Sequence, residues 1–202
     1  MKCIYTALSC FPFLFFSQCI KIEKKASASA QVQVQVSSTD IQAGFEYLNK
    51  VRANPTAYSS EIGVDLSYVT PIHALFWNDT LAKVATAKAT DMAQRDYFAH
   101  VDPDGNGINI KINEAGYLLS SSLLTDKSQN NFESLSGGAT SPVAAIKDLI
   151  LDNGINPPGH RNHLLAIDTY WSDCYDIGIG FVQGSSSSSY ISYCCVIIAK
   201  HH

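Results

Sequence analysis

The residues best placed to do chemistry lie around Ser141–Leu165, SPVAAIKDLILDNGINPPGHRNHLL. Asp152 falls at the end of an expected helix, and Asn156-Pro157-Pro158-Gly159 turns the chain tightly to present His160 a few residues later. Two earlier residues, His100 and Glu133, can join them, which would place two imidazoles and two carboxylates in one cleft. Imidazole and carboxylate are both ligands for Zn²⁺, and two histidines with an open position would make a weak or catalytic site rather than a closed structural one. A metal-bound water with Glu133 or Asp152 as general base would then support hydrolysis. The plainer reading of the same four residues is a hydrogen-bonded polar cluster in which each histidine is oriented by a carboxylate.

Other residues carry weaker signals. His163 follows His160 by one helical step, so the two would share a face and form a second metal-binding pair; an exposed histidine after a turn is the expected reading. Asp102-Pro103-Asp104-Gly105-Asn106-Gly107 has the opening of a Ca²⁺ loop, but Asn113 stands where a bidentate Glu is needed, and Pro-Asp-Gly is a common turn. Ca²⁺ is therefore less expected than Zn²⁺. No serine occupies a Gly-x-Ser-x-Gly turn, and no other cofactor is indicated.

These residues need a frame, and the periodicity supplies one. Thr39-Asp40-Ile41-Gln42 has a capping-box pattern, followed by Ile41, Phe45, Leu48 and Val51 on one face; Asn54-Pro55 ends that helix. Asn78 caps a second helix, whose stripe of Leu81, Val84, Ala85, Ala89, Met92 and Ala93 continues into Tyr97 and Phe98; its alanines predict close packing against another layer. Asn78-Asp79-Thr80 also reads as a glycosylation sequon, relevant only in a glycosylating host. His100 comes at its exit. A short helix ending at Gly116 is expected over 108–117. Ser141 as N-cap and Pro142 at the first helical position begin the next helix, which Asn153-Gly154 would stop through a left-handed residue. Ile177, Ile179 and Phe181 alternate with glycines as a strand, Gly184–Ser189 forms a loop, and Tyr190–Ala199 is the return strand. Helices followed by a hairpin imply an α+β sheet packed by helices.

Composition bounds the class. The 202-residue chain has 14 Lys+Arg against 18 Asp+Glu; without residues 1–30, which hold Lys2, Lys21, Lys24, Lys25 and Glu23, the balance is 10 against 17, or −7. An acidic domain without a basic stripe argues against nucleic acid as a partner. Residues 1–20 read as an export signal, interrupted by Pro12 and too short for a spanning helix; Cys19 offers a lipoprotein alternative and the only expected membrane attachment. Residues 21–38 read as a polar tether, although Gln31-Val32-Gln33-Val34-Gln35-Val36 could pair as a strand. The domain is then 39–202, expected to be monomeric and either secreted or at the cell surface. Cys174 could pair with Cys194 or Cys195, which as neighbours on a strand point to opposite faces, or all three could be buried thiols.

The order of these pieces resembles the CAP superfamily (cysteine-rich secretory, antigen 5 and pathogenesis-related group-one proteins; the SCP domain), and bacterial members in particular. The resemblance rests on Leu48–Arg52 (LNKVR), Leu75–Leu81 (LFWNDTL), Phe98-Ala99-His100, Gly116-Tyr117, Phe132-Glu133-Ser134, Gly159-His160-Arg161 and Ile177–Gly180, and covers about residues 40–200. It implies an α-β-α sandwich with a central antiparallel sheet and a cleft of two histidines and two acids. His100, Glu133 and His160 match three of those positions, and Asp152 is the nearest match to the fourth, which is usually Glu. Phe132 and Ser134 depart from the family's Gly and Asn. The resemblance implies a binding module for a lipid or sterol, a glycan or a protein partner, with a metal-dependent hydrolase as the alternative.

Overall fold

The computed structural model describes residues 37–200. The export signal, Cys19 and the tether up to Val36 lie outside the described residues. The tether's last residue, Ser38, belongs to the first helix, α1 (Ser38–Ala53), which begins slightly earlier than the Thr39 box suggests. Ser37 is its cap: the hydroxyl accepts from the Asp40 amide at 3.2 Å and donates to the Asp40 carboxylate at 2.8 Å. A short helix α2 (Ser59–Ile62) and an irregular stretch lead to β1 (Phe76–Trp77).

The helix α3 (Asp79–Arg95) starts where Asn78 accepts from the Thr80 and Leu81 amides at 3.0 and 3.1 Å. It stops before Tyr97 and Phe98, because Asp96 turns left-handed at φ 49°. After α4 (Ile108–Glu114) come β2 (Glu133–Gly137), α5 (Pro142–Leu151), α6 (Gly159–Leu164), β3 (Asp176–Gln183) and β4 (Ser192–Ala199). The sheet order is β1-β3-β4-β2. The three longer strands pair antiparallel, as expected, and the two-residue β1 adds a parallel partner to the start of β3. Periodicity shows neither β1 nor β2: the first is too short, and the second, Glu-Ser-Leu-Ser-Gly, is polar yet buried along most of its length.

Helices cover both faces of the sheet, α3 on one and α1 with α5 on the other, giving the α-β-α sandwich. The alanine-rich face of α3 lies directly on β3. A Cβ added at Gly178 would sit 2.2 Å from the Ala82 nitrogen, and one at Gly180 would sit 2.3 Å from the Ala85 carbonyl carbon. Glycines alternating with Ile177, Ile179 and Phe181 therefore let a helix backbone touch one face of the strand while the large side chains fill the other. Buried Arg52 ties the layers together, donating to the His73 carbonyl at 3.2 Å and the Leu164 carbonyl at 2.7 Å. Burial pushes its guanidinium down to about 10. Cys174, Cys194 and Cys195 are all buried free thiols, so no disulfide joins them. Burial pushes Cys174 up to about 11 and Cys194 up to about 12, which keeps both protonated and inert.

Candidate functional site: two histidine–carboxylate pairs

Three of the four expected residues sit at the end of an element, and His100 lies in the loop after α3. α5 ends at Asp152, which itself takes the left-handed conformation (φ 51°) expected of the next two residues; Gly154 is a second left-handed position (φ 79°). That backbone turn aims the Asp152 carboxylate back at the start of α6. Its Oδ2 accepts from the His160 and Arg161 amides at 2.9 and 3.3 Å, and its Oδ1 accepts from His160 Nδ1 at 2.7 Å. The shorter side chain thus reaches its partner. Arg161 completes the joint by donating to the Ile150 and Leu151 carbonyls at 2.7 and 2.6 Å, satisfying the end of α5 with a cation.

The second pair joins the loop after α3 to the first residue of β2. His100 Nδ1 donates to Glu133 Oε2 at 2.8 Å. The other carboxylate oxygen of Glu133 accepts from the Cys195 thiol across the β2–β4 ladder at 3.4 Å. In both pairs the acid is sealed and the base is not. The Glu133 side chain is 0% exposed against 42% for His100, and Asp152 is 1% exposed against 27% for His160.

Residues that sequence reasoning undervalued link the two pairs. Ser134, beside Glu133, lies 2.8 Å from His163 Nδ1, and His163 Nε2 faces the Ile198 carbonyl at 3.4 Å. His163 is one turn along α6 from His160. It is buried rather than exposed, and burial, with lesser contributions from the charges of His160, Arg52 and His100, pushes it down to about 4. Both of its ring nitrogens already have partners. Lys88 is also fully interior. Its ammonium donates to the Ala99 and His100 carbonyls at 2.7 and 3.0 Å, fixing the backbone that carries His100. Desolvation lowers its pKa, and the nearby Glu133 opposes that. The signal was legible: Lys88 falls on the apolar stripe of α3, where a lysine is costly unless paired.

Hydrogen bonds already occupy most of the acid oxygens at the site. Glu133 and Asp152 spend their oxygens on Nδ1 atoms, amides and a thiol, which leaves the two imidazole Nε2 atoms as available donors. Two donors are half the number used by a structural zinc site. Among the described residues no three His, Cys, Asp or Glu side chains form a metal-binding group. In the Asp102 loop, Asp102 pairs with Lys111 at 2.7 Å and accepts from the Asp104 and Asn106 amides at 2.9 and 2.8 Å, while Asp104 pairs with Arg95 at 2.6 Å. Protein cations thus already pair with both acids of that loop.

The α-β-α sandwich is consistent with the fold of a CAP or SCP domain. The family model described as the cysteine-rich secretory protein family, CAP, matches residues 45–197, and the chain belongs to that family of extracellular-type proteins. No curated protein matches the chain. Among solved structures it is similar to an outer surface protein from Borrelia burgdorferi, with a TM-score of 0.52 and 17% identity over 84% of this chain and 98% of that one. An extracellular protein containing an SCP domain from Bacillus anthracis str. Ames aligns at 16% identity with a TM-score of 0.47, over 82% of this chain and 44% of that one. Schistosoma mansoni venom allergen-like protein 4 aligns at 16% identity with a TM-score of 0.44, over 82% and 91%. At these identities the likeness concerns the fold.

Proposed function

We propose that this CAP-domain protein is an exported, non-enzymatic binding module, secreted or held at the cell surface, that takes a lipid or sterol, a glycan or a protein ligand. The observation that carries this reading is the sealing of both carboxylates. A general base must come within hydrogen-bond reach of the proton it removes, directly or through one water. Glu133 and Asp152 are fully enclosed and already hydrogen-bonded, so they set the imidazoles rather than meet a substrate. The domain then offers ligand two positioned, partly exposed imidazoles. The test is to assay the purified protein against ester, peptide and glycoside substrates, with and without added Zn²⁺, beside Glu133→Gln and Asp152→Asn. The binding-module reading expects no turnover in any of them; turnover that is lost on chelation and in Glu133→Gln overturns it.

One observation favours a second reading, a metal-dependent hydrolase. A histidine that donates Nδ1–H to a carboxylate and keeps Nε2 free is the usual arrangement around a bound zinc. His100 and His160 would hold the ion through Nε2, and the ion would supply Lewis acidity to a bound water. Calorimetry with Zn²⁺ on the wild type, His100→Ala and His160→Ala tests this. Micromolar binding lost in both variants supports a shared site, and unchanged binding in either variant removes it.

A further inference from the structure

The outer edge of β3 is only partly paired. β1 covers Asp176 and Ile177, and from 178 to 183 the edge has no strand partner among the described residues. That edge floors a groove of about 1370 Å³ between the first turn of α1 and the flank of α3. Its two walls differ in chemistry. Gly178 and Gly180 face α3, so the buried side chains of Ile179 and Phe181 face the other way and, with part-buried Ile41, make that side of the edge apolar. The opposite wall carries Lys83, Thr86 and Gln94 of α3. An exposed strand edge is a template for another extended chain. Here the occupant needs apolar residues on one side and polar residues on the other, which is strict alternation.

The sequence just before Ser37 has that alternation. Ser37 lines the groove, and the six residues before it are Gln31-Val32-Gln33-Val34-Gln35-Val36. Six residues of extended chain span about 20 Å, the length of the six unpaired residues of β3. The direction agrees as well. Phe45 packs on Trp77, Asn49 bonds the Leu75 backbone and Arg52 reaches the His73 carbonyl, so α1 runs opposite to β1, which is parallel to β3. The chain therefore enters α1 at the end of the groove far from β1. A segment laid along the edge toward Ser37 runs parallel to β3, in line with β1.

We propose that Gln31–Val36 adds to the sheet along the free edge of β3, with its valines on the Ile41–Ile179–Phe181 wall and its glutamines on the α3 wall. Hydrogen exchange of the full chain, resolved by residue and measured at several protein concentrations, tests this. The variants are Val32→Asp/Val34→Asp/Val36→Asp, the same three positions changed to Ile, and Gln33→Pro and Val34→Pro made separately. Edge-facing amides within 178–183 are expected to be protected in the wild type and the Ile variant and to exchange at least about tenfold faster in the Asp variant. One of the two proline variants should match the Asp variant more closely than the other, because alternate N–H groups of a strand face its partner. Amides on the β4–β2 ladder should be unchanged throughout, showing an intact fold. Unprotected edge amides in the wild type overturn the proposal. So does protection that survives both proline variants, which would mean another occupant, or protection that rises with concentration, which would mean a second copy on the edge.

Discussion

His163 allows a quantitative test of how the site is built. In the folded chain its ring is fully buried between Ser134, the Ile198 carbonyl and Trp171, whose ring centroid is 5.3 Å away, and its pKa falls from 6.5 to about 4. The unfolded chain therefore takes up the proton first as pH falls. The stability this neutral histidine allows is intact above about pH 6.5 and is lost as pH falls from there to about pH 4. The loss amounts to about 2 kcal/mol at pH 5 and about 3 kcal/mol in the limit below pH 4. His163→Gln keeps a polar side chain for Ser134 but cannot titrate. Urea denaturation followed by tryptophan fluorescence at pH 7.5 and pH 5, on both proteins, isolates the effect from other titrations. The wild type should lose about 2 kcal/mol more than the variant over that interval. Equal losses would mean that His163 is not held neutral, and the buried Ser134–His163 link between the two pairs would be wrong.

Three further outcomes follow from single contacts. Gly180→Ala would drive a Cβ into the α3 backbone, so it should cost at least about 3 kcal/mol by thermal denaturation or prevent folding; a cost below about 1 kcal/mol would refute the direct helix–strand contact. Asp152→Ala removes the acceptor for His160 Nδ1 and two amides and leaves a left-handed alanine, and it should cost about 2–4 kcal/mol in urea denaturation, with Asp152→Asn clearly milder. Lys88→Met should leave the Ala99 and His100 carbonyls unpaired, lowering stability by about 1–3 kcal/mol and shifting the His100 ring resonances in NMR; an unmoved His100 signal would separate Lys88 from the site.

Much of the frame was legible because it is local. Caps at Asn78 and Ser141, the 3.6-residue stripe of α3, and the glycine–isoleucine alternation of β3 are properties of neighbouring residues, and each element formed where they stand. The candidate site residues were also visible, as residue types at element ends that resemble the CAP pattern. What they do to one another was not. Whether a carboxylate is a ligand, a base or an orienter depends on which atoms meet it, and the partners of Glu133 lie 33 and 62 residues away, in His100 and Cys195. The same holds for β2, whose polar sequence becomes a strand only because β4 offers it a ladder, and for His163, whose burial depends on Ile198 and Trp171 closing over it. Sequence by itself determined α1, α3, α5 and the β3–β4 hairpin, the family pattern and the residue types available to the site. Tertiary structure alone decided that both acids are sealed and both imidazoles left partly open, because burial and hydrogen-bond partnership are set by contacts between chain segments that no local pattern encodes.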